Sequence, residues 1–342
     1  MKSNRWVVGL IGVLMVSFLA GSVFAADPQW KWKAQALWSP QETPYKLFVK
    51  FAERVKEMTG GRLEMTVYHG GGVVANTEGL DALKNNVVQA FFNAPSYYAG
   101  RNPAFSALTD LSMAWDDSLE LDLFIHYGGG LELLRELYKP FGVYVVETIQ
   151  YPVESYPSKR PLRKIEDFKG LKIRVPQGME NDVLTKLGAS TIVLPGTEVY
   201  SALDKGVIDA TNWNTVANNE ALGYHKIAPY FTYPGFHSKP WLDFAVNERE
   251  WNKLPQDVKL IVETAVCRLS QEVVSQCTFE DTEVVRSAQS KGYTVISWSN
   301  EEKIRMRKVA REVWEEWKKK NAQSKKAIEL QEDFLKKMGR LD

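Results

Sequence analysis

SALDKGVIDATNW (residues 201–213) has a near-copy earlier in the chain, DALKNNVVQAFFN (residues 81–93). At a constant offset of 120 residues, Ala82 meets Ala202, Leu83 meets Leu203, Val87 meets Val207 and Ala90 meets Ala210. Each copy reads as a helix, a turn and a strand, with its Ala and Leu facing a sheet. In open α/β sheets, ligands bind beyond the carboxyl ends of the strands. Two such units predict two facing lobes with a cleft between them. Asn212-Trp213 then stands at the cleft, an amide for the polar end of a ligand and an indole for its body. The competing reading is chance recurrence of an amphipathic pattern.

The flanking sequence alternates in the same way. KWKAQALW (31–38) and RLEMTVYHG (62–70) read as strands around a helix that starts at Thr43-Pro44 and stops at Gly60-Gly61. LELLRELYKPFG (131–142), VYVVETIQ (143–150), LKIRVP (171–176), MENDVLTKLGAS, TIVLP and TEVYSALDKG continue the helix–strand alternation, with Thr197 as a cap. This predicts an α/β fold with largely parallel sheets. Residues 151–170 hold three prolines and many charges, which suits a crossing between lobes. From residue 255 the chain is helical to its end. The stripe of Ile328, Leu330, Phe334 and Leu335 suits a groove on this chain or on a second copy.

Length and charge narrow the class. The chain has 342 residues, which suits two domains, and a formal net charge of +1 with no long basic run, which disfavours nucleic acid. Lys2 and Arg5 precede an apolar run from Val7 to Ala20, and Val23-Phe24-Ala25 suits a cleavage site. This reads as a secretory signal over residues 1–25, cut after Ala25, because the run is shorter than the ~20 residues that span a bilayer. Export to the periplasm would permit a disulfide. Cys267 and Cys277, ten residues apart in one helical segment, are too far apart to form one and read as two buried thiols.

Asp167-Phe168-Lys169-Gly170-Leu171-Lys172-Ile173-Arg174-Val175-Pro176, Gly206-Val207-Ile208-Asp209-Ala210 and the exported start resemble the DctP-type solute-binding proteins of tripartite ATP-independent periplasmic (TRAP) transporters. The likeness runs through most of the mature chain. It implies a two-lobed periplasmic binding protein fold with an interlobe cleft, crossing strands and a long connecting helix. The implied boundaries are lobe I over 26–150, with part of 240–342 returning to it, lobe II over 151–239, and a helical region over 255–342 spanning both. The implied function is capture of an organic acid by hinge closure and delivery to the membrane permease subunits. The family's ligand-pairing arginine falls on Arg174, and a guanidinium suits a carboxylate because its planar fork donates bidentately.

The chain most resembles the α-keto-acid and hydroxy-acid branch. That likeness implies a calcium or sodium ion on the ligand carboxylate, held by Gln150, Asn212, Trp213 and Asp243. The chain departs from the pattern at Asn212, where the branch has Glu, so metal-free binding, with Gln150 and Asn212 bonding the ligand directly, stays open. Trp38, Asn93, Tyr97, Tyr98 and Trp241 complete the candidate ligand set. So many aromatic residues suit a keto acid, hydroxy acid, aromatic acid or aromatic amino acid. Some relatives pair through a C-terminal helix, which makes a homodimer an expectation. The rival readings are an exported enzyme and a sensor-associated binding module. The four histidines form no HExxH, and GxSxG is absent.

Overall fold

The computed structural model describes residues 28–341; the signal expected over 1–25 lies outside the described residues. The first half runs β1 (Trp30–Ala36), α1 (Thr43–Met58), β2 (Leu63–Tyr68), α2 (Gly79–Lys84), β3 (Ala90–Asn93), α3 (Ala104–Thr109), α4 (Ser118–Tyr127), α5 (Gly130–Tyr138) and β4 (Val143–Gln150). The second runs β5 (Lys172–Val175), α6 (Met179–Lys186), β6 (Ser190–Val193), α7 (Val199–Asp204), β7 (Ala210–Thr211), α8 (Val216–Ala221) and β8 (Tyr230–Thr232). The chain closes with β9 (Trp241–Asn247), α9 (Glu248–Asn252), α10 (Gln256–Ser287), β10 (Thr294–Ile296), α11 (Asn300–Lys318) and α12 (Ala322–Lys337).

The internal copy is structural. Helix α2 and helix α7 sit 120 residues apart, as do the starts of β3 and β7. Both turns use a left-handed residue, Asn86 at φ 57° and Gly206 at φ 71°. In both, a valine N–H returns to an alanine carbonyl: Val87 to Ala82 and Val207 to Ala202, each at 2.9 Å. The strand expected in each copy begins only at Ala90 and Ala210, because these turns occupy the preceding residues. The N-cap of α1 is Glu42 rather than Thr43, and that of α7 is Glu198 rather than Thr197.

One sheet has the order β2-β1-β3-β9-β4, with β9 antiparallel to both neighbours. The other begins β6-β5-β7, all parallel. Ser158 bridges antiparallel to Ala210 and Tyr230, so it joins β7 to β8 and, through β8, to β10. Each sheet thus takes an antiparallel segment into its fourth place, delivered from the other sheet through 233–240 or 151–157. Helix α10, 32 residues and roughly 48 Å long at 1.5 Å per residue, packs on α1 and β4 and also on α8.

Helix α12 buries Ala327, Ile328 and Leu335 within its own chain, and Phe334 packs edge-on to Phe124 at 5.7 Å. The stripe offered for a second copy is therefore covered by this one. Cys277 is buried along the stripe of Val266, Leu269 and Val273, whereas Cys267 is exposed; both are free thiols. The buried reading of Cys267 is corrected: it follows Val266 by one residue, a ~100° step that takes it off the stripe. Among the described residues, no helix is long and apolar enough to cross a membrane.

Candidate functional site

Strand β5 buries Ile173 and Val175 on one face and turns Arg174 to the other, by the two-residue period of a strand. Arg174 is 1% exposed, and its Nε donates to the Leu194 carbonyl at 2.9 Å. Its Nη1 donates to the Asn212 carbonyl at 2.7 Å, and its Nη2 has no partner. The Trp213 ring lies over the guanidinium, 4.8 Å from carbon to centroid. Trp213 lies against Gly196, where a Cβ would come within 2.3 Å of the indole.

The other lobe reaches across to this group. Trp213 Nε1 donates to Glu42 at 3.3 Å, and Asn214 Nδ2 donates to the same carboxylate. Asn214, at φ 51°, accepts from Trp38 Nε1 at 3.1 Å and from the Tyr151 hydroxyl. The Thr43 N–H donates to Asn218 Oδ1 at 2.9 Å. Trp38 stacks on Tyr151 with centroids 5.8 Å apart. These bonds tie the start of α1 to the segment after β7, so the halves are drawn together.

The result is an inner chamber of about 30 Å³, lined by Trp38, Tyr97, Asp110, Tyr151, Glu154, Arg174 and Asn212 among others. Leu37, Tyr97, Pro176 and Trp213 also line an outer cavity of about 610 Å³, whose walls include Val193, Leu194, Leu222 and Tyr224. The outer cavity gives an apolar space and the inner chamber a charged floor.

Arg174 shares that floor with acids. Burial pushes Glu154 up to about 8, the Asp110 charge adds to this, and Arg174 opposes it. Burial holds Asp110 at about 6 against the lowering effect of its hydrogen bond from Ser238 Oγ, 2.8 Å long. Glu180, raised by burial to about 8, accepts from the Tyr156 hydroxyl and from Ser112 Oγ at 3.2 Å. Asn212 is fully buried with neither amide atom partnered.

Of the candidate residues, Arg174, Asn212, Trp213, Trp38 and Tyr97 come together at the chamber. Gln150, Asp243, Trp241, Asn93 and Tyr98 do not line it. Strand β9 sends Leu242 to the chamber, so its neighbours Trp241 and Asp243 point to the opposite face. Trp241 Nε1 donates there to the Leu108 carbonyl at 2.9 Å. Asp243 pairs in register with Asn93, whose Nδ2 donates to the Tyr98 hydroxyl at 2.8 Å. Likewise Tyr151 faces the chamber, while Gln150 donates to Asp122 at 2.6 Å.

Of the cation ligands implied by resemblance, Asn212 and Trp213 line the chamber after β7, while Gln150 and Asp243 lie on the far face of the other sheet, so the four do not fit one ion. Among the described residues no group of three His, Cys, Asp or Glu side chains is placed to hold one. The residues that sequence reading missed are Glu42, Asp110, Tyr151, Glu154 and Asn214. For Glu154 the only sequence signal is its place in the proline-rich crossing.

Residues 35–321 match the family described as bacterial extracellular solute-binding protein, family 7, or DctP. The chain belongs to the DctP family. A DctP relative, the monocarboxylate 2-oxoacid-binding periplasmic protein of Nostoc sp., is 30% identical over 93% of this chain and 87% of its own. A TRAP periplasmic solute-binding protein from Rhodobacter sphaeroides, in an apo open structure, is 32% identical over 91% of this chain and 99% of its own, with a TM-score of 0.74. A TRAP solute-binding protein from Bordetella bronchiseptica is 27% identical, with 92% and 94% coverage and a TM-score of 0.82. Its structure is a mixed-occupancy dimer, with copurified calcium and picolinate in one site and the other apo. The two-lobed α/β architecture is thus that of DctP-family receptors, and the chain is a solute-binding protein of the TRAP type.

Proposed function

We propose that this DctP-family protein captures an organic monocarboxylate with an apolar body in the periplasm and presents it to TRAP permease subunits. The observation that carries this is the unpartnered Nη2 of Arg174, buried at the floor of a chamber between the two sheets. Its other two nitrogens are fixed on backbone carbonyls, so the free one is held ready for an incoming anion. Burial makes that bond strong, because little water competes for it. The outer cavity, walled by Leu, Val, Tyr and Trp side chains, suits the apolar body.

Residues 26–150 with β9 form one lobe in this proposal, and residues 151–239 the other, hinged at the two crossings. A solute that touches both lobes favours the closed arrangement by its difference in affinity for the two states. The Nostoc and Bordetella relatives support a monocarboxylate; the Bordetella structure also holds calcium, for which Gln150 and Asp243 do not reach the chamber here. Thermal-shift screening of monocarboxylates, then calorimetry of Arg174→Ala, tests the reading. Loss of the arginine is expected to weaken binding by about 2–5 kcal/mol, the scale for breaking a buried charge pair on one side. Equal affinity in wild type and variant would refute it.

A further inference from the structure

We infer that the solute is a zwitterion: an α-amino acid with an apolar side chain, its carboxylate on Arg174 and its ammonium facing Glu154 and Asp110. This rests on the carboxylate reading above and adds the second charge. The chamber holds one guanidinium and two carboxyl groups, Asp110 and Glu154, with Glu180 close enough to act on both. Burial, with no cation beside these acids but Arg174 among the described residues, keeps Glu154 and Glu180 protonated up to about pH 8, and a simple carboxylate brings no second cation. A bridging cation would relieve that, but among the described residues no group of three His, Cys, Asp or Glu side chains is placed to hold one. An ammonium on the solute relieves it without a metal.

The free hydrogen-bonding groups match both ends of such a head. Arg174 Nη2 and Asn212 Nδ2 are donors without acceptors, and both residues are at most 1% exposed. Asn212 Oδ1 is an acceptor without a donor, and the Glu154 carboxylate, bonded by the Asn214 N–H, lines the same chamber. An ammonium supplies three donors and a carboxylate only acceptors, so the two ends sort themselves between these groups. The side chain then runs past Trp213 and Tyr97 into the outer cavity.

The test is calorimetry on ligand-stripped, EDTA-treated protein with the apolar L-amino acids, each beside its own 2-oxo acid. The amino acids that bind are expected to bind at least tenfold tighter than their 2-oxo partners, and added calcium is expected to leave that order unchanged. Glu154→Gln is expected to lower amino-acid affinity at least tenfold without lowering that for a 2-oxo acid. Should this variant misfold, the paired comparison in the wild-type protein decides alone. Tighter binding of the 2-oxo acids, with or without calcium, overturns the inference and leaves the carboxylate reading standing. Binding of neither series overturns the inference, and unaltered Arg174→Ala affinity for whichever acid the monocarboxylate screen finds overturns the carboxylate reading separately.

Discussion

The guanidinium carbon of Arg174 lies 4.8 Å from the centroid of the Trp213 ring. The two side chains hold each other. Arg174 is anchored by two carbonyls, one of them from Asn212, the residue before the tryptophan. Trp213 is pinned between Gly196 and its bond to Glu42. The nitrogen proposed to meet the ligand is therefore positioned by a tryptophan that is itself bonded to Glu42 at the start of α1.

Asn214 links the lobes through bonds to Glu42 and Trp38, and also accepts from the Tyr151 hydroxyl. Asn214→Ala loses all three and keeps the left-handed backbone, so urea unfolding is expected to show a loss of about 2–4 kcal/mol. Asn214→Gly loses the same bonds but relieves the backbone, and is expected to be about 1 kcal/mol more stable than the alanine variant. Equal stability of the two would show that φ 51° carries no cost here.

Gly196 leaves room for Trp213. In Gly196→Ala the new Cβ would lie 2.3 Å from the indole, so the ring must move. The expected result is weaker solute binding by about 1–3 kcal/mol, the scale of overpacking, although no charged group has changed. Unaltered affinity, measured by calorimetry, would mean that Trp213 does not set the position of Arg174.

The buried acids give the protein a falling stability as pH rises. Asp243, with no bond to either oxygen, is raised by burial to about 8, and Glu42 by burial to about 7. Their native pKa values lie above those of the unfolded chain, so the native state binds protons that the unfolded state has released. Stability is thus expected to be complete below about pH 4 for these groups and to decline towards pH 8. Asp243→Asn, which mimics the protonated acid, is expected to gain at least ~1 kcal/mol more at pH 8 than at pH 5. Parallel stability curves for the two proteins would contradict this.

The offset of 120 residues was readable because both copies keep sheet-facing Ala and Leu and the same turn, and the structure repeats it down to Asn86 and Gly206. Arg174 was legible through the family resemblance of the stretch Asp167 to Pro176, which places the ligand-pairing arginine there. The face of β9 was not. All seven of its residues are buried, so no alternation of polar and apolar marks which side meets the cleft. A one-residue error there exchanged Leu242 for Asp243 and Trp241, and the same error on the neighbouring strand exchanged Tyr151 for Gln150. Asp110 and Glu154 lie outside helices and strands, where no periodicity applies and only tertiary packing brings them to the arginine.

The most direct measurement is a crystal structure of the exported protein with the solute it retains on purification. A solute carboxylate about 2.8 Å from Nη2 of Arg174, enclosed by Trp213 and Tyr97, is the predicted result. A solute bound elsewhere, with that nitrogen facing only water or protein, would contradict the account.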